Sequence, residues 1–456
     1  MKGGAAIAFI LLAALLAGCV EETPVEKELF QTKTLANGLE VIFVENHNIP
    51  LVSVVMAVKN GAYAESPEYN GLSHFYEHMF FKANEKIPSQ EEYMEELRRL
   101  GASWNGWTGT ETVAYYFTVP RENFEETMQF MENAIRFPKF DEEELEREKG
   151  VILAEYDRTE ADPYRALSTA VDKKMWYPYY SRKNVIGNRT VIATNTREKM
   201  TTIKDRYYVP NNCALILAGD LTADEAFASA EEVFSDWEKG EDPFVLYPVP
   251  EHPPLQKSEA VVVEKPVGAI TIDIEWHGPS VYRDREKTYA ADLFSYVLNN
   301  PNSNFQKDLV DSGLFSSCSI SYYTQNHTGP ISIMGETTAE NFPEARDALL
   351  GEIERFDDAG YVSENELDDA KAMVEVSRAY ELESLHNTFA PDSLPFSWAV
   401  TGLDYYLSYI DNMKEVTIDD LISYASGYVV GKSCVTGVLI SPEDRATLDL
   451  KGSDLI

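Results

Sequence analysis

The sequence is poor in positive charge and in residues that form covalent cross-links. Its 456 residues include four cysteines and seven histidines, and 39 lysines and arginines stand against 76 aspartates and glutamates. The formal net charge of -37 repels phosphate backbones and anionic headgroups, which argues against nucleic-acid binding. Hydrophobic residues make up 44% of the chain, which is ample for a folded core and excludes global disorder.

An apolar run at the N-terminus is too short to span a bilayer comfortably. It extends from Ala5 to Ala17 with Lys2 as the lone charge before it, a pattern typical of a signal peptide. Leu16-Ala-Gly-Cys19 resembles the lipobox of prokaryotic lipoproteins, in which the cysteine carries the lipid; an ordinary signal peptide with an incidental Cys19 is the alternative. We therefore expect residues 1–18 to be removed, residues 19–30 to form the lipidated Cys19 and a tether, and the protein to be anchored to a membrane outside the cytoplasm.

The chain contains an internal repeat. Two segments, which begin at Tyr207 and at Tyr428 and are 221 residues apart, both follow helical patterns. Each has the sequence pattern of a buried strand, and Cys213 and Cys434 occupy equivalent positions in them. Between the two halves, residues 238–257 hold five prolines and no periodic pattern, which indicates a linker extended over the surface. We predict an α+β fold of two homologous domains of about 200 residues each, at 31–237 and 258–456.

Hydrophobic periodicity and turn residues predict the same elements in both halves. Strands are expected at 39–44, 51–58 and 112–119, with helices at 71–82, 89–100, 121–136 and 141–160. The second half repeats this mixture, with strands near 259–277 and 314–336, a helix near 285–299 and long helices between 340 and 427.

Two histidines and a glutamate form the pattern H-x-x-E-H in the helix predicted at 71–82. His74 and His78 are four residues apart, so both imidazoles lie on one helix face and reach a single ion. Neutral imidazoles suit Zn²⁺, and the free carboxylate of Glu77 beside the ion suits a general base that accepts a proton from water. A pair of helix histidines with purely structural partners is the alternative.

This residue order and the surrounding segments resemble the M16 family of zinc metallopeptidases, which includes pitrilysin, insulin-degrading enzyme and the mitochondrial processing peptidase. The resemblance rests on Leu35-Ala-Asn-Gly-Leu-Glu-Val41, on Gly71-Leu-Ser-His-Phe-Tyr-Glu-His-Met-Phe-Phe-Lys82, on Asn105-Gly-Trp-Thr108 and on Glu148-Lys-Gly-Val-Ile-Leu-Ala-Glu155. It implies that each predicted domain is a mostly antiparallel sheet packed with helices.

The resemblance also implies roles for individual residues. His74, His78 and Glu155 would bind one Zn²⁺, and Glu77 would be the general base. Glu148, seven residues before Glu155 on the same helix face, matches the acid that supports a ligand in this family. The strand of Asn105 would bind an extended peptide through backbone hydrogen bonds, and we expect unfolded or short peptides, with basic ones favoured if the acidic charge lines the substrate chamber.

One part of the family pattern is missing. Family members that work alone or as homodimers carry an Arg and a Tyr in the C-terminal half that contact the substrate, and the aligned positions here are Val310 and Ser316. We therefore expect the metal-bearing subunit of a heterodimer whose partner supplies the Arg and Tyr, with a homodimer as the alternative. A zinc-binding assembly subunit without catalytic turnover is the competing function.

Overall fold

The structure is a computed structural model that describes residues 29–383 and 393–455. The predicted signal peptide, Cys19 and the tether up to residue 28 lie outside the described residues. Within the described part of the chain, no helix is both long enough and apolar enough to cross a bilayer.

The first half folds around a six-stranded sheet. Its strands are β1 (Phe30–Thr34), β2 (Glu40–Glu45), β3 (Leu51–Val58), β4 (Ser103–Thr108), β5 (Val113–Pro120) and β6 (Cys213–Gly219). The spatial order is β1-β2-β6-β3-β5-β4, and only β2 and β6 run parallel. β4 is therefore an edge strand.

Between residues 29 and 237, eight helices of five or more residues accompany this sheet. They are α1 (Leu72–Phe80), α2 (Gln90–Arg99), α3 (Phe124–Arg136), α4 (Glu142–Ala161), α5 (Pro163–Met175), α6 (Arg189–Ala193), α7 (Arg197–Tyr207) and α8 (Ala223–Phe234). Side chains of α1, α3 and α8 join those of one sheet face in a single buried core. Asp141 begins α4 by accepting hydrogen bonds from the backbone N–H groups of Glu143 and Glu144.

The second half is built on a five-stranded sheet with strands β7 (Glu259–Glu264), β8 (Ile270–His277), β9 (Ser317–Tyr322), β10 (Pro330–Thr337) and β11 (Val435–Ile440). Their order is β7-β11-β8-β10-β9, and only β7 and β11 run parallel. The accompanying helices are α9 (Val281–Asn299), α10 (Phe342–Glu354), α11 (Glu364–Glu383), α12 (Leu394–Val400), α13 (Leu403–Glu415), α14 (Ile418–Tyr428) and α15 (Pro442–Leu448).

The predicted fold class and the internal repeat are confirmed. β6 lies between a parallel and an antiparallel neighbour, and β11 does the same in the second sheet. By this equivalence β9 corresponds to β4, so the two strands lie at equivalent edges of their sheets. Cys213 begins β6 and is buried, whereas Cys434 directly precedes β11 and is only half-buried.

Each sheet is covered on its second face by a helix from the other half. Leu167 and Val171 of α5 pack against Val435 and Leu439 of β11. In return, Leu394 and Trp398 of α12 pack against the first sheet, in a cluster that includes residues of β2, β3, β5 and β6. Each half therefore covers an apolar face of the other half's sheet.

The segment predicted as an extended linker is partly helical. It contains a helical turn at Pro243–Leu246, begun by the side chain of Asp242. Phe244 in this turn stacks on Tyr63 of the first half, with ring centroids 5.3 Å apart. This packing explains why the segment departs from a purely extended path.

Candidate metal centre

The helix that carries the H-x-x-E-H pattern is fixed at its first turn by a buried carboxylate. Glu65 accepts hydrogen bonds from the backbone N–H groups of Gly71 and Ser73, both at 2.6 Å. Gly71 has φ +94, and a Cβ there would overlap the backbone of Gly187, so only glycine fits. Burial raises the pKa of Glu65 to about 7, although its hydrogen bonds act in the opposite direction. Glu65 thus sets where α1 begins.

Three potential metal ligands from two helices converge on one point. The Nε2 atoms of His74 and His78 on α1 are 3.3 Å apart, and Oε2 of Glu155 on α4 lies 3.9 Å from the first and 3.7 Å from the second. Among the described residues this is the single group of three or more such side chains whose ligand atoms lie within 4.8 Å of one another. The structure therefore brings together the three ligands predicted from the sequence.

The donor set fits zinc. Two nitrogens bound to tetrahedral Zn²⁺ at about 2.0–2.1 Å lie roughly 3.3 Å apart, which matches the separation of the two Nε2 atoms. Burial, and then the neighbouring His78, lower the pKa of His74 to about 3, so His74 is the neutral imidazole that a metal requires. Three protein ligands leave the open position of a catalytic site rather than the closed shell of a structural one.

A buried acid orients the second histidine. Oε1 of Glu148 is 2.8 Å from Nδ1 of His78, on the ring side away from the metal point, and Oε2 of Glu148 is 2.7 Å from Nζ of Lys82. Burial alone would raise the pKa of Glu148, but the hydrogen bonds from His78 and Lys82 bring it below its ordinary value. The same contact raises the pKa of His78, although burial opposes it. Glu148 therefore holds the ring so that Nε2 faces the metal point.

Glu77 lies between the ligands and the edge strand. Its side chain is largely buried, which raises its pKa, and its Oε2 accepts a hydrogen bond from Oγ1 of Thr108 at 2.8 Å, which lowers it. A Cβ at Gly106 would lie 2.9 Å from Cγ of Glu77 and 3.0 Å from its Oε1. The Glu77 carboxylate is therefore in close contact with β4.

Asn105 is exposed on this edge strand, and its side chain lies on the other face of the sheet from α1. Thr108 and Gly106 share the face that contacts Glu77, whereas Asn105 and Trp107 alternate with them. Oδ1 of Asn105 accepts a hydrogen bond from the backbone N–H of Gly106 at 3.0 Å. Any contribution of Asn105 to peptide binding close to Glu77 therefore has to come through the backbone of β4.

The equivalent edge in the second half is blocked. The side chain of Asn299 donates to the carbonyl of Ile320 at 2.7 Å and accepts from its N–H at 3.0 Å, and Gln306 donates to the carbonyl of Cys318 at 2.9 Å. These side chains occupy the outer hydrogen-bonding groups of β9. Among the described residues, no side chain of another element hydrogen-bonds to the backbone of β4, so of the two equivalent edges the one beside the metal point is the more accessible.

The two positions that align with the family's Arg and Tyr have structural roles in this chain. Val310 is in a π-helical turn, Lys307–Asp311, and packs against the core of the second half. Ser316 donates its hydroxyl to the carbonyl of Glu336 at 3.2 Å. Neither side chain provides a cation or a phenol.

Four residues of this centre were not assigned a role from the sequence: Glu65, Lys82, Gly106 and Thr108. Lys82 is four residues after His78, a spacing that places two side chains of a helix on one face and could have indicated its link to Glu148. The contacts of Glu65 and Thr108 with the helix depend on tertiary packing, for which the sequence carries no periodic signal.

The chain is similar to known protein families over most of its length. Residues 40–187 match the sequence profile of Insulinase (Peptidase family M16), and residues 194–374 match that of the Peptidase M16 inactive domain. An uncharacterized zinc protease of Rickettsia felis is 24% identical over 424 residues, which is 92% of this chain and 99% of the relative. The uncharacterized zinc protease YmxG of Bacillus subtilis is 25% identical and covers 78% of this chain and 85% of its own length.

A solved structure has the same fold. The crystal structure of a protease from Helicobacter pylori superposes with a TM-score of 0.79 at 20% identity, and the match covers 91% of this chain and 99% of that one. Together with the two profiles, which account for most of both halves, these matches identify the chain as a member of the M16 metallopeptidase family.

Proposed function

We propose that this protein is a zinc-dependent endopeptidase that hydrolyses unfolded or short peptides, with one Zn²⁺ per chain. The observation that carries the proposal is the convergence of His74, His78 and Glu155 beside a carboxylate, Glu77, that ligates nothing and faces an accessible strand. A zinc ion held there supplies a Lewis acid for the scissile carbonyl and for the attacking water.

In this proposal Glu77 moves the proton. It accepts a proton from the attacking water and passes it to the leaving amine, a role for which a raised pKa is favourable. Thr108 keeps the carboxylate pointed at the reacting groups through its 2.8 Å hydrogen bond. Glu148 is a positioning residue, since it contacts His78 and Lys82 rather than the substrate.

The substrate would add to β4 as a further antiparallel strand. Backbone hydrogen bonds to an edge strand recognise extended chain of any sequence, which selects unfolded peptides. Gly106 supports this binding mode because it brings the β4 backbone against Glu77 without an intervening side chain. Asn105 would take part indirectly, because its Oδ1 accepts a hydrogen bond from the backbone N–H of Gly106 at the outer edge of β4.

We propose further that a second M16-type chain completes the enzyme. The support is that Val310 and Ser316 are occupied in packing and backbone contacts, so the Arg and Tyr expected for substrate contact have to come from another subunit. A heterodimer is the preferred assembly, and a homodimer is the alternative. We also propose that Cys19 carries a lipid that anchors the protein to a membrane outside the cytoplasm.

The decisive experiment is a peptide-library assay of the chain that starts after Cys19. The wild type, Glu77→Gln and, as a matched control, Glu95→Gln on the exposed surface of α2 are each assayed with and without a chelator, alone and with a partner chain that carries the Arg and Tyr. We expect cleavage by the wild type and the control with the partner present, and its loss with Glu77→Gln or chelator.

The outcomes separate the proposals. Full cleavage by the chain alone refutes the need for a partner, and cleavage untouched by Glu77→Gln refutes the mechanism. Zinc bound without cleavage, with or without the partner, would instead support the competing function of an assembly subunit.

A further inference from the structure

One cavity of the protein carries positive charge that the proposed reaction does not use. It has a volume of about 720 Å³, which is the size of small-molecule sites in proteins. Its wall is formed by the last turns of α4, by α5, by the loop between α5 and α6, and by Lys265 from the β7–β8 turn. The cavity therefore draws on both halves of the chain.

Three cations line this cavity. Arg165 and Lys173 are eight residues apart on α5 with Thr169 midway, so all three side chains lie on one helix face. Lys265 approaches from the second half. None of the three cations has an ion-pair partner among residues 29–383 and 393–455, although the whole chain has 76 acidic residues.

The rest of the wall suits an anion as well. One carboxylate lines the cavity, Glu160, and it already accepts a hydrogen bond from the hydroxyl of Tyr156 at 3.0 Å. Thr159, Thr169 and Ser181 add hydroxyl groups. The lining therefore holds three cations and one carboxylate, and Asp172, which is not part of the lining, also acts electrostatically on Arg165.

We propose that this cavity is a binding site for a polyvalent oxyanion, a polyphosphate or a polycarboxylate. Polyvalence follows from the arrangement: Arg165 and Lys173 begin about 12 Å apart along the axis of α5, and Lys265 comes from the other half, so a ligand that contacts all three extends over several anionic groups. A ligand that bridges Lys265 to Arg165 and Lys173 also links the two halves. This site does not depend on the proposed peptidase activity.

The test measures binding of two probes to the full folded chain by calorimetry. Inorganic triphosphate represents the phosphate source and tri-glutamate the carboxylate source. The variants are Arg165→Gln, Lys173→Gln, Lys265→Gln and their triple combination, with Lys257→Gln on the exposed surface as the matched control. Because triphosphate also sequesters zinc, the quantity that counts is the difference between each variant and the control.

We expect each single substitution to weaken binding about tenfold, or about 1.4 kcal/mol, since each removes one charge-assisted hydrogen bond to the ligand. The triple variant should lose binding, while the control binds like the wild type. Binding of triphosphate alone identifies the ligand class as phosphate, and binding of tri-glutamate alone identifies it as carboxylate. The proposal is overturned if neither probe binds, or if the triple variant binds either probe as tightly as the control.

Discussion

Removal of the buried acid behind His78 gives the sharpest test of the metal centre. In Glu148→Ala, His78 loses the 2.8 Å contact that orients its ring and Lys82 loses its 2.7 Å partner. Supporting contacts of this kind contribute about 10–100-fold to metal affinity, or about 1.4–2.7 kcal/mol. Since the Lys82 side chain is only 10% exposed, an unpaired ammonium there should also reduce the free energy of unfolding by about 3–5 kcal/mol.

Two further variants separate the two effects. Glu148→Gln keeps an oxygen that accepts from Nδ1 of His78 but removes the charge that pairs with Lys82, so we expect stability to fall more than zinc affinity. Lys82→Met removes the ammonium and leaves the contact between Glu148 and His78 in place, so zinc affinity should stay within about threefold of the wild type.

Zinc affinity is measured by competition with a chromophoric chelator, and the free energy of unfolding by urea denaturation of the zinc-free protein. The double variant Lys82→Met/Glu148→Gln completes a thermodynamic cycle that isolates the coupling of the pair. The orienting role of Glu148 would be refuted if Glu148→Ala bound zinc as tightly as the wild type. It would also be refuted if Lys82→Met lost as much zinc affinity as Glu148→Ala.

Three other predictions concern the base, the contact between the halves and the buried acids there. Thr108→Val removes the hydrogen bond that lowers the pKa of Glu77, so the acidic limb of the pH profile of kcat/KM should move to higher pH; an unmoved limb contradicts the assignment of Glu77 as the base. Trp398 packs on the first sheet and is 3% exposed. Trp398→Ala leaves a cavity there and should reduce the free energy of unfolding, measured in urea, by about 3–5 kcal/mol. A loss under about 1 kcal/mol would mean that α12 is loosely packed. Burial raises the pKa of Asp273 from 3.8 to about 6, so the folded state binds its proton more tightly and loses stability as pH rises from about 4 to 6. Asp273→Asn should therefore be more stable than the wild type by up to about 3 kcal/mol at pH 8 and should lose that advantage at pH 4, and equal pH dependence of the two proteins in urea denaturation would contradict this.

The sequence predicts the elements whose signals are local. Spacing on a helix is enough to bring His74 and His78 together, and alternation of apolar residues predicts β3 and β5 close to their observed bounds. The repeat predicts that β6 and β11 are equivalent because each is a buried, continuous apolar strand. Glu155 required the family resemblance, since several acids near it on α4 look the same in sequence.

Features that depend on distant parts of the chain escaped prediction. Nothing local marks Glu65 as the residue that caps α1, because its partners are joined by a loop rather than by a periodic element. The turn at Pro243–Leu246 forms where Phe244 stacks on the ring of Tyr63, a contact between residues far apart in the chain. The exchange of α5 and α12 between the halves likewise has no signature in either segment alone.

That exchange has a mechanical consequence. Since Trp398 and Leu394 belong to the second half but cover the first sheet, and Val171 does the reverse, the halves cannot swing apart without exposing both apolar faces to water. In the proposed enzyme, the hinge that admits substrate should therefore not lie between the halves of one chain, and movement of one whole chain against its partner should take that role. For the same reason, a chain cut within residues 238–257 should still migrate as a single particle in native solution and fall into two fragments only in denaturant.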